Sequence, residues 1–361
     1  MNEKDLFLFN FILNTDIGAT KFFKLLEKFG NVENITKSNK KDLMSISGIG
    51  SILAEKILKS LSLDKALKET ELAKKHNIKI ILYNSPLYPK PLESLPDKPL
   101  FLYIKGNIRE SDYDSISIVG SRKVSNYGKS VTLEFASYFA KLGITIISGL
   151  ARGVDTLAHS CAIENNSRTI AVLGNGLLIN YPFENKKLQE EISQNGALIS
   201  EFPLTQKPDK ITFPRRNRIV AGLSRATLVT EASAKSGALI TARICADYGK
   251  DVFVVPGNIY SEVSKGTNKL IQNGAHVALI PNDLASSLGI TLKSDKINQQ
   301  NLKGLELEVV NLIENNENGV PLDLIANKLN RNILDISYVL LKLELIGLIK
   351  TAPGQIYFRV Y

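Results

Sequence analysis

One pattern limits the possible folds more than any other: a β-branched run that breaks at glycine and continues as a helix, met twice in quick succession. Ser115 to Val119 runs into Gly120-Ser121-Arg122, and Ile144 to Ile147 runs into Ser148-Gly149-Leu150-Ala151-Arg152-Gly153 and on to His159. Parallel strands must be joined by a crossover, usually a helix, so this repeated unit predicts a doubly wound α/β sheet. Ligands of such sheets gather at the carboxyl ends of the strands, where backbone amides and helix N-termini favour anions. Each turn also carries an arginine, a permanent charge whose planar fork suits phosphate. Glycine and arginine are common in loops, and one such turn alone would not separate a site from a connection. Two on neighbouring strands favour a phosphate-binding rim.

The pattern recurs over residues 111–285. Strands are expected at Ser115–Val119, Ile144–Ser148, Thr169–Leu173, Ala197–Glu201, Thr227–Thr230, Val252–Val255 and His276–Ile280, most without period-two alternation, as when both faces are covered. Glycines 143, 196, 249 and 274 close several of the intervening helices. A length of 361 residues leaves room for further domains. Residues 1–62 read as short helices, with Ile46-Ser47-Gly48-Ile49-Gly50 patterned like the turn of a helix–hairpin–helix. No lysine or arginine lies in that turn, so packing and phosphate contact stay equal alternatives. Residues 63–105 read as a connector with a helix, a strand at Ile78–Tyr83, a proline-rich stretch and an outer strand at Phe101–Ile104. A polar linker at 286–303 precedes residues 304–361, where helices at Leu305–Glu314, Leu322–Leu329 and Ile333–Ile346 and a hairpin turned by Pro353-Gly354 predict a winged helix.

Charge narrows the partners. The net charge is +9, which makes polyanions natural partners. Residues 304–361 lie in a C-terminal stretch (291–361) with eight basic and eight acidic side chains, whereas residues 111–290 hold eight of the eleven arginines. Phosphate neutralisation requires clustered cations, so the winged helix is read as a protein-contact or regulatory piece at least as readily as a duplex reader. Cys161 and Cys245 are expected to be buried small hydrophobes in a reducing compartment. No apolar run has the length of a membrane span, and the protein is expected in the cytoplasm.

Further constellations fall on the same rim. Phe213-Pro214-Arg215-Arg216-Asn217-Arg218 opens a helix, and a regular helix would put Arg215, Arg218 and Arg225 on one side. Four arginines within residues 215–225 favour anion binding over a merely solvated face. Lys235-Ser236-Gly237 after a strand end supplies a point charge and amide donors, and Ser264-Lys265-Gly266 repeats the recipe. Gly174-Asn175-Gly176 lacks the third glycine of a dinucleotide site. Phe213 and Tyr181, both beside proline, are candidates for stacking. There is no Walker sequence, no nucleophile elbow, and no grouping of His76, His159 and His276 that suits a metal. Asp155 and His159, four apart, are read as a structural helix-start pair rather than a catalytic one. No cofactor, metal or catalytic residue is expected. Rows of anion sites without a nucleophile describe a binder of extended phosphodiester.

In order and content, Ile118–Arg122, Ser148–His159, Phe213–Ser224, Glu231–Arg243, Val254–Gly257 and Ser264–Ala275 resemble the successive motifs of the DNA-processing protein A (DprA/Smf) family. The resemblance is dense over about residues 80–285, while the N-terminal helical (helix–hairpin–helix or SAM-like) piece and the winged-helix tail match the family's accessory domains loosely. It implies an extended Rossmann-like fold that binds single-stranded DNA without cutting it, forms a homodimer, and loads RecA onto incoming strands in natural transformation. Mapped by position, it implies an anion pocket of Gly120, Ser121 and Arg122 with Gly149, Arg152 and Gly153, completed by Arg215, Arg216 and Arg218 and by Lys235, Ser236 and Gly237; Phe213, Asn217 and Lys265 are further candidates for DNA or phosphate contact. Leu178 stands where the family usually has an acidic residue. Two rival readings are a phosphoribohydrolase-like, nucleotide-binding enzyme of related architecture and a duplex-DNA regulator acting through the winged helix. The Glu231–Thr241 stretch lacks the P-G-G-x-G-T-x-x-E loop of the former.

Overall fold

The computed structural model describes residues 2–290, 302, 304–316, 319–345 and 348–359. They divide into two compact units, Met1–Leu284 and Ala285–Tyr361. The stretches read from the sequence as an N-terminal domain and a connector belong to the first unit, and most of the expected linker, 291–301 and 303, lies outside the described residues.

The first unit is built on one sheet of nine strands: β1 (Ile78–Leu82), β2 (Phe101–Gly106), β3 (Ser115–Val119), β4 (Thr145–Ser148), β5 (Thr169–Val172), β6 (Ala197–Ser200), β7 (Ala226–Val229), β8 (Asp251–Val254) and β9 (His276–Val277). Their spatial order is β1-β2-β6-β5-β4-β3-β7-β8-β9. From β6 to β9 every pairing is parallel, whereas β1–β2 and β2–β6 are antiparallel. The last strand keeps only two residues of the five expected, because Leu279 and Ile280 bend away toward the helix Pro281–Ser287, whose Asp283 carboxylate accepts both their amides. β3 to β7 are buried end to end, their few polar residues being serines and threonines, as expected of strands covered on both faces. Each isoleucine fully withdrawn from water here contributes about 1.5–3 kcal/mol.

The connection order places a switch point between β3 and β7. The chain moves from β3 outward through β4, β5 and β6, then returns to add β7 on the other flank of β3. Loops diverge there and leave a crevice at the strands' carboxyl ends.

The N-terminal helices pack on the antiparallel edge. Phe9 sits edge-on to Phe101, with ring centres 5.1 Å apart, in a core that also holds Phe11, Phe22, Leu25, Tyr103 and Leu198. In the expected hairpin, Lys40–Met44 and Ser51–Leu58 are joined through Gly48 (φ +90°). The second unit holds helices Leu305–Glu314, Leu322–Leu329 and Ile333–Leu345 and a sheet in the order β10 (Val320–Pro321), β12 (Ile356–Arg359), β11 (Ile349–Ala352). Ile346, expected at the end of the third helix, lies outside the described residues. Cys161 and Cys245 are buried and unpaired. Among the described residues, no helix is long and apolar enough to cross a membrane, and no cluster of three His, Cys, Asp or Glu could hold a metal ion.

Candidate functional site

At the switch point the loops after β3, β4 and β7 and the helix Thr212–Leu223 enclose a pocket of about 520 Å³. Its lining includes Gly120, Ser121, Arg122, Lys123, Gly149, Phe213, Arg216, Asn217, Lys235, Ser236 and Gly237. Most of the residues singled out in the sequence therefore meet in one place. Arg152, Gly153, Arg215, Arg218 and Lys265 do not line it.

The turn after β3 is fixed by its own bonds. The Ser121 amide donates to the Glu231 carbonyl (2.7 Å), and its hydroxyl donates to the Lys123 carbonyl (2.8 Å). Glu231 also receives the amide and hydroxyl of Ser125, whose hydroxyl accepts from the Gly128 amide and so caps the helix Asn126–Lys141. Gly153 has φ +79°, and a Cβ there would strike the Ser121 carbonyl, so only glycine lets the turns after β3 and β4 touch. The Ser236 amide donates to the Ser233 carbonyl and that of Gly266 to the Ala232 carbonyl. Amides expected to be anion donors are thus committed to the loops themselves at Ser121, Ser236 and Gly266. The side chains of Arg122, Lys123, Arg216 and Lys235 supply full positive charges to the pocket.

Those side chains fall into two kinds. Arg216 is only 4% exposed and forms the floor. Its guanidinium donates to the carbonyls of Gly149 and Val172, at the ends of β4 and β5, and its Nε donates to the Asn217 side-chain oxygen (3.1 Å). Gly149 is needed because a Cβ would occupy the guanidinium's position. Burial pushes the Arg216 pKa down to about 10, with Arg122 adding to the fall and Asp155 opposing it, so the group is still a cation at neutral pH. Burial raises the Asp155 carboxyl against the pull of Arg216. Asp155 accepts from the Ala151 amide (3.2 Å), and His159 pairs through Nδ1 with the Thr169 hydroxyl (2.7 Å). Burial and the Arg216 charge push His159 down to about 3. These two residues do not bond each other; both serve the helix start and strand packing.

Arg122, Lys123 and Lys235 are exposed, and none has a carboxylate partner among the described residues. Arg122 lies over the Phe213 ring, 5.1 Å from its centre, and Tyr181 flanks Phe213 with ring centres 5.7 Å apart. Arg122 and Phe213 thus form a wall on one side of the pocket, and Tyr181, outside the lining, packs against Phe213.

The remaining arginines follow a different rule. Arg215 reaches Asp16 (3.2 Å) and Glu201 (3.9 Å) and lies over Phe202. Arg218 is tied to Glu201 and approaches Asp97 (3.9 Å). Both belong to a second cleft of about 570 Å³ beside the N-terminal helices. Arg225 does not share their helix face, because the helix stops at Leu223, where the Lys250 ammonium collects the carbonyls of Ala221, Gly222 and Ser224. Arg225 instead donates to Asp114 (3.1 Å). Arg152 pairs with Glu184, and Lys265 with Glu262. Sequence reasoning missed Lys123 as a lining cation and Glu231 as the organiser of the turns. It also missed the acids at 16, 97 and 201, whose only signal was their sign.

A cationic pocket beside an aromatic pair at the switch point of a mostly parallel, doubly wound sheet defines a Rossmann-like α/β protein. Residues 79–289 match the family of DNA recombination-mediator protein A, and the chain belongs to that family of DNA-binding recombination mediators. Protein Smf of Synechocystis is 34% identical over 380 residues, covering 95% of this chain and 96% of its own. The DNA processing protein DprA of Streptococcus pneumoniae is 40% identical over 197 residues, 55% of this chain and 70% of its own. A crystal structure of the pneumococcal protein superposes with a TM-score of 0.67 at 31% identity, covering 79% of this chain and 98% of that one. DNA processing protein A from Helicobacter pylori, described for its single-stranded DNA binding mode, gives 0.52 at 32% identity over 58% of this chain and 95% of that one.

Proposed function

We propose that the rim grips single-stranded DNA by charge and stacking and breaks no bond, and that the protein is a recombination mediator rather than an enzyme. The observation that carries this reading is Arg122 over Phe213, with Tyr181 against that ring, beside exposed cations that lack carboxylate partners among the described residues. Sequence-tolerant binders of unpaired strands combine a basic groove with aromatic faces in this way. The single-stranded DNA binding mode described for the Helicobacter relative supports it. Family membership supports the finer role: a homodimer that protects incoming strands and loads RecA in natural transformation. We read the second unit as a winged helix that makes protein contacts, since its stretch of chain carries no net charge.

A salt titration of single- against double-stranded oligonucleotides tests the proposal. The expected result is a preference for single strands and a slope of log K on log salt of about −0.7 for each phosphate neutralised. Indifference to unpaired strands, or release of free base from a nucleoside monophosphate with turnover, would overturn it.

A further inference from the structure

The loop between β8 and the helix Lys265–Gln272 also rises from the carboxyl end of the sheet, and its Val263 lines the pocket. Its tip presents Ile259 and Tyr260, 71% and 87% exposed. The tip is held in place. The Tyr260 amide donates to the Asn258 side-chain oxygen (2.9 Å), and the Ser261 amide donates to the Asn258 carbonyl (3.0 Å). At the loop's base the Asn268 side chain accepts from the Gly257 amide (3.2 Å) and donates to its carbonyl (3.0 Å). The bonded loop thus holds out a tyrosine ring that is almost entirely in solvent. A mirror of it stands at the far end of the rim. After β5 come Tyr181 and then Phe183, 76% exposed.

We infer that Tyr260, with Ile259 beside it, is a second stacking platform, and that the unpaired strand crosses the ends of β5, β4, β3, β7 and β8 from the Phe183 side to the Tyr260 side. The inference rests on the reading of the rim as a single-stranded DNA site. Four strand spacings separate the two ends, roughly 19 Å. That is a span for several nucleotides, not one, and the cations of Arg122, Lys123 and Lys235 lie between the ends. Bases have apolar faces of any sequence, so an exposed tyrosine at the end of a cationic path fits them.

The chain contains no tryptophan, so Tyr260→Trp introduces a single reporter at an exposed position. Its emission is expected to fall on binding a thymidine oligomer of about 20 nucleotides and not on binding the same length of abasic backbone. In parallel, the affinity gained between oligomers of about 4 and about 20 nucleotides is expected to be roughly five- to tenfold smaller in Tyr260→Ala than in the unsubstituted chain. If the unsubstituted chain binds but the reporter's emission and the length dependence stay unchanged, the platform is refuted while the pocket stands. Loss of self-association in Tyr260→Ala at equal concentration would assign the tip to a contact between copies and refute it too. Failure of the unsubstituted chain to bind unpaired DNA would remove both readings.

Discussion

Two clefts of nearly equal size, about 570 and about 520 Å³, open on opposite flanks of one helix, Thr212–Leu223, and both are furnished with its arginines. In the first, Arg215 and Arg218 meet Glu201, Asp16 and Asp97, and the charges cancel within the protein. In the second, Arg216 is consumed by backbone carbonyls, and Arg122, Lys123 and Lys235 face solvent with no carboxylate partner among the described residues. Counting cations would rank the two clefts together. Counting each cation's partners separates a fastener from a receptor.

The largest expected effect comes from removing the floor of the second cleft. Arg216→Met leaves the carbonyls of Gly149 and Val172 without their donor and Asp155 without a counter-charge, and is expected to cost about 3–5 kcal/mol of stability by urea unfolding. A loss under about 1 kcal/mol would show that Arg216 is not the fastener described.

Acid should loosen the same floor. Because the folded-state pKa of His159 is depressed from 6.5 to about 3, the stability it contributes is fully present above pH 6.5 and is lost as pH falls toward 3. The expected slope is about 1.4 kcal/mol per pH unit within that window. His159→Asn should flatten it in unfolding curves taken across the window.

The smallest effect sharpens the contrast most. Arg122→Ala is expected to weaken binding of single strands about three- to tenfold with folding intact, and to reduce the salt slope by about 0.7. Arg215→Ala, on the neutralised flank, should leave affinity within about twofold. Equal losses from the two variants, read by fluorescence anisotropy at moderate salt, would erase the distinction between the clefts.

What the sequence made legible was local. Short β-branched runs, glycine breaks and proline-flanked aromatics are short-range signals; they placed β3 to β8 and the turns at Gly120 and Gly153, and singled out Phe213 and Tyr181, which the fold brings together. The assignment of the arginines was not legible, because it depends on acids far away in the chain. Asp16 meets Arg215 across 199 positions, and Asp114 meets Arg225 across 111. Two of the spent amides escaped notice for the same reason, since Ser121 finds its acceptor at Glu231 and Gly266 at Ala232. The antiparallel seam of β2 on β6 also lay beyond pattern reading, because it joins Tyr103–Gly106 to the distant Ala197–Ser200 and an apolar run carries no sign of its partner's direction.

The ion-paired flank has a consequence for the other. A helix pinned by carboxylates along one side, by a buried guanidinium on the opposite side and by the Lys250 ammonium at its tail has little freedom to roll. Phe213 is therefore offered at a set angle before any ligand arrives. The disorder surrendered on docking falls chiefly on the guest polymer, the arrangement that gives most grip for a given area of contact.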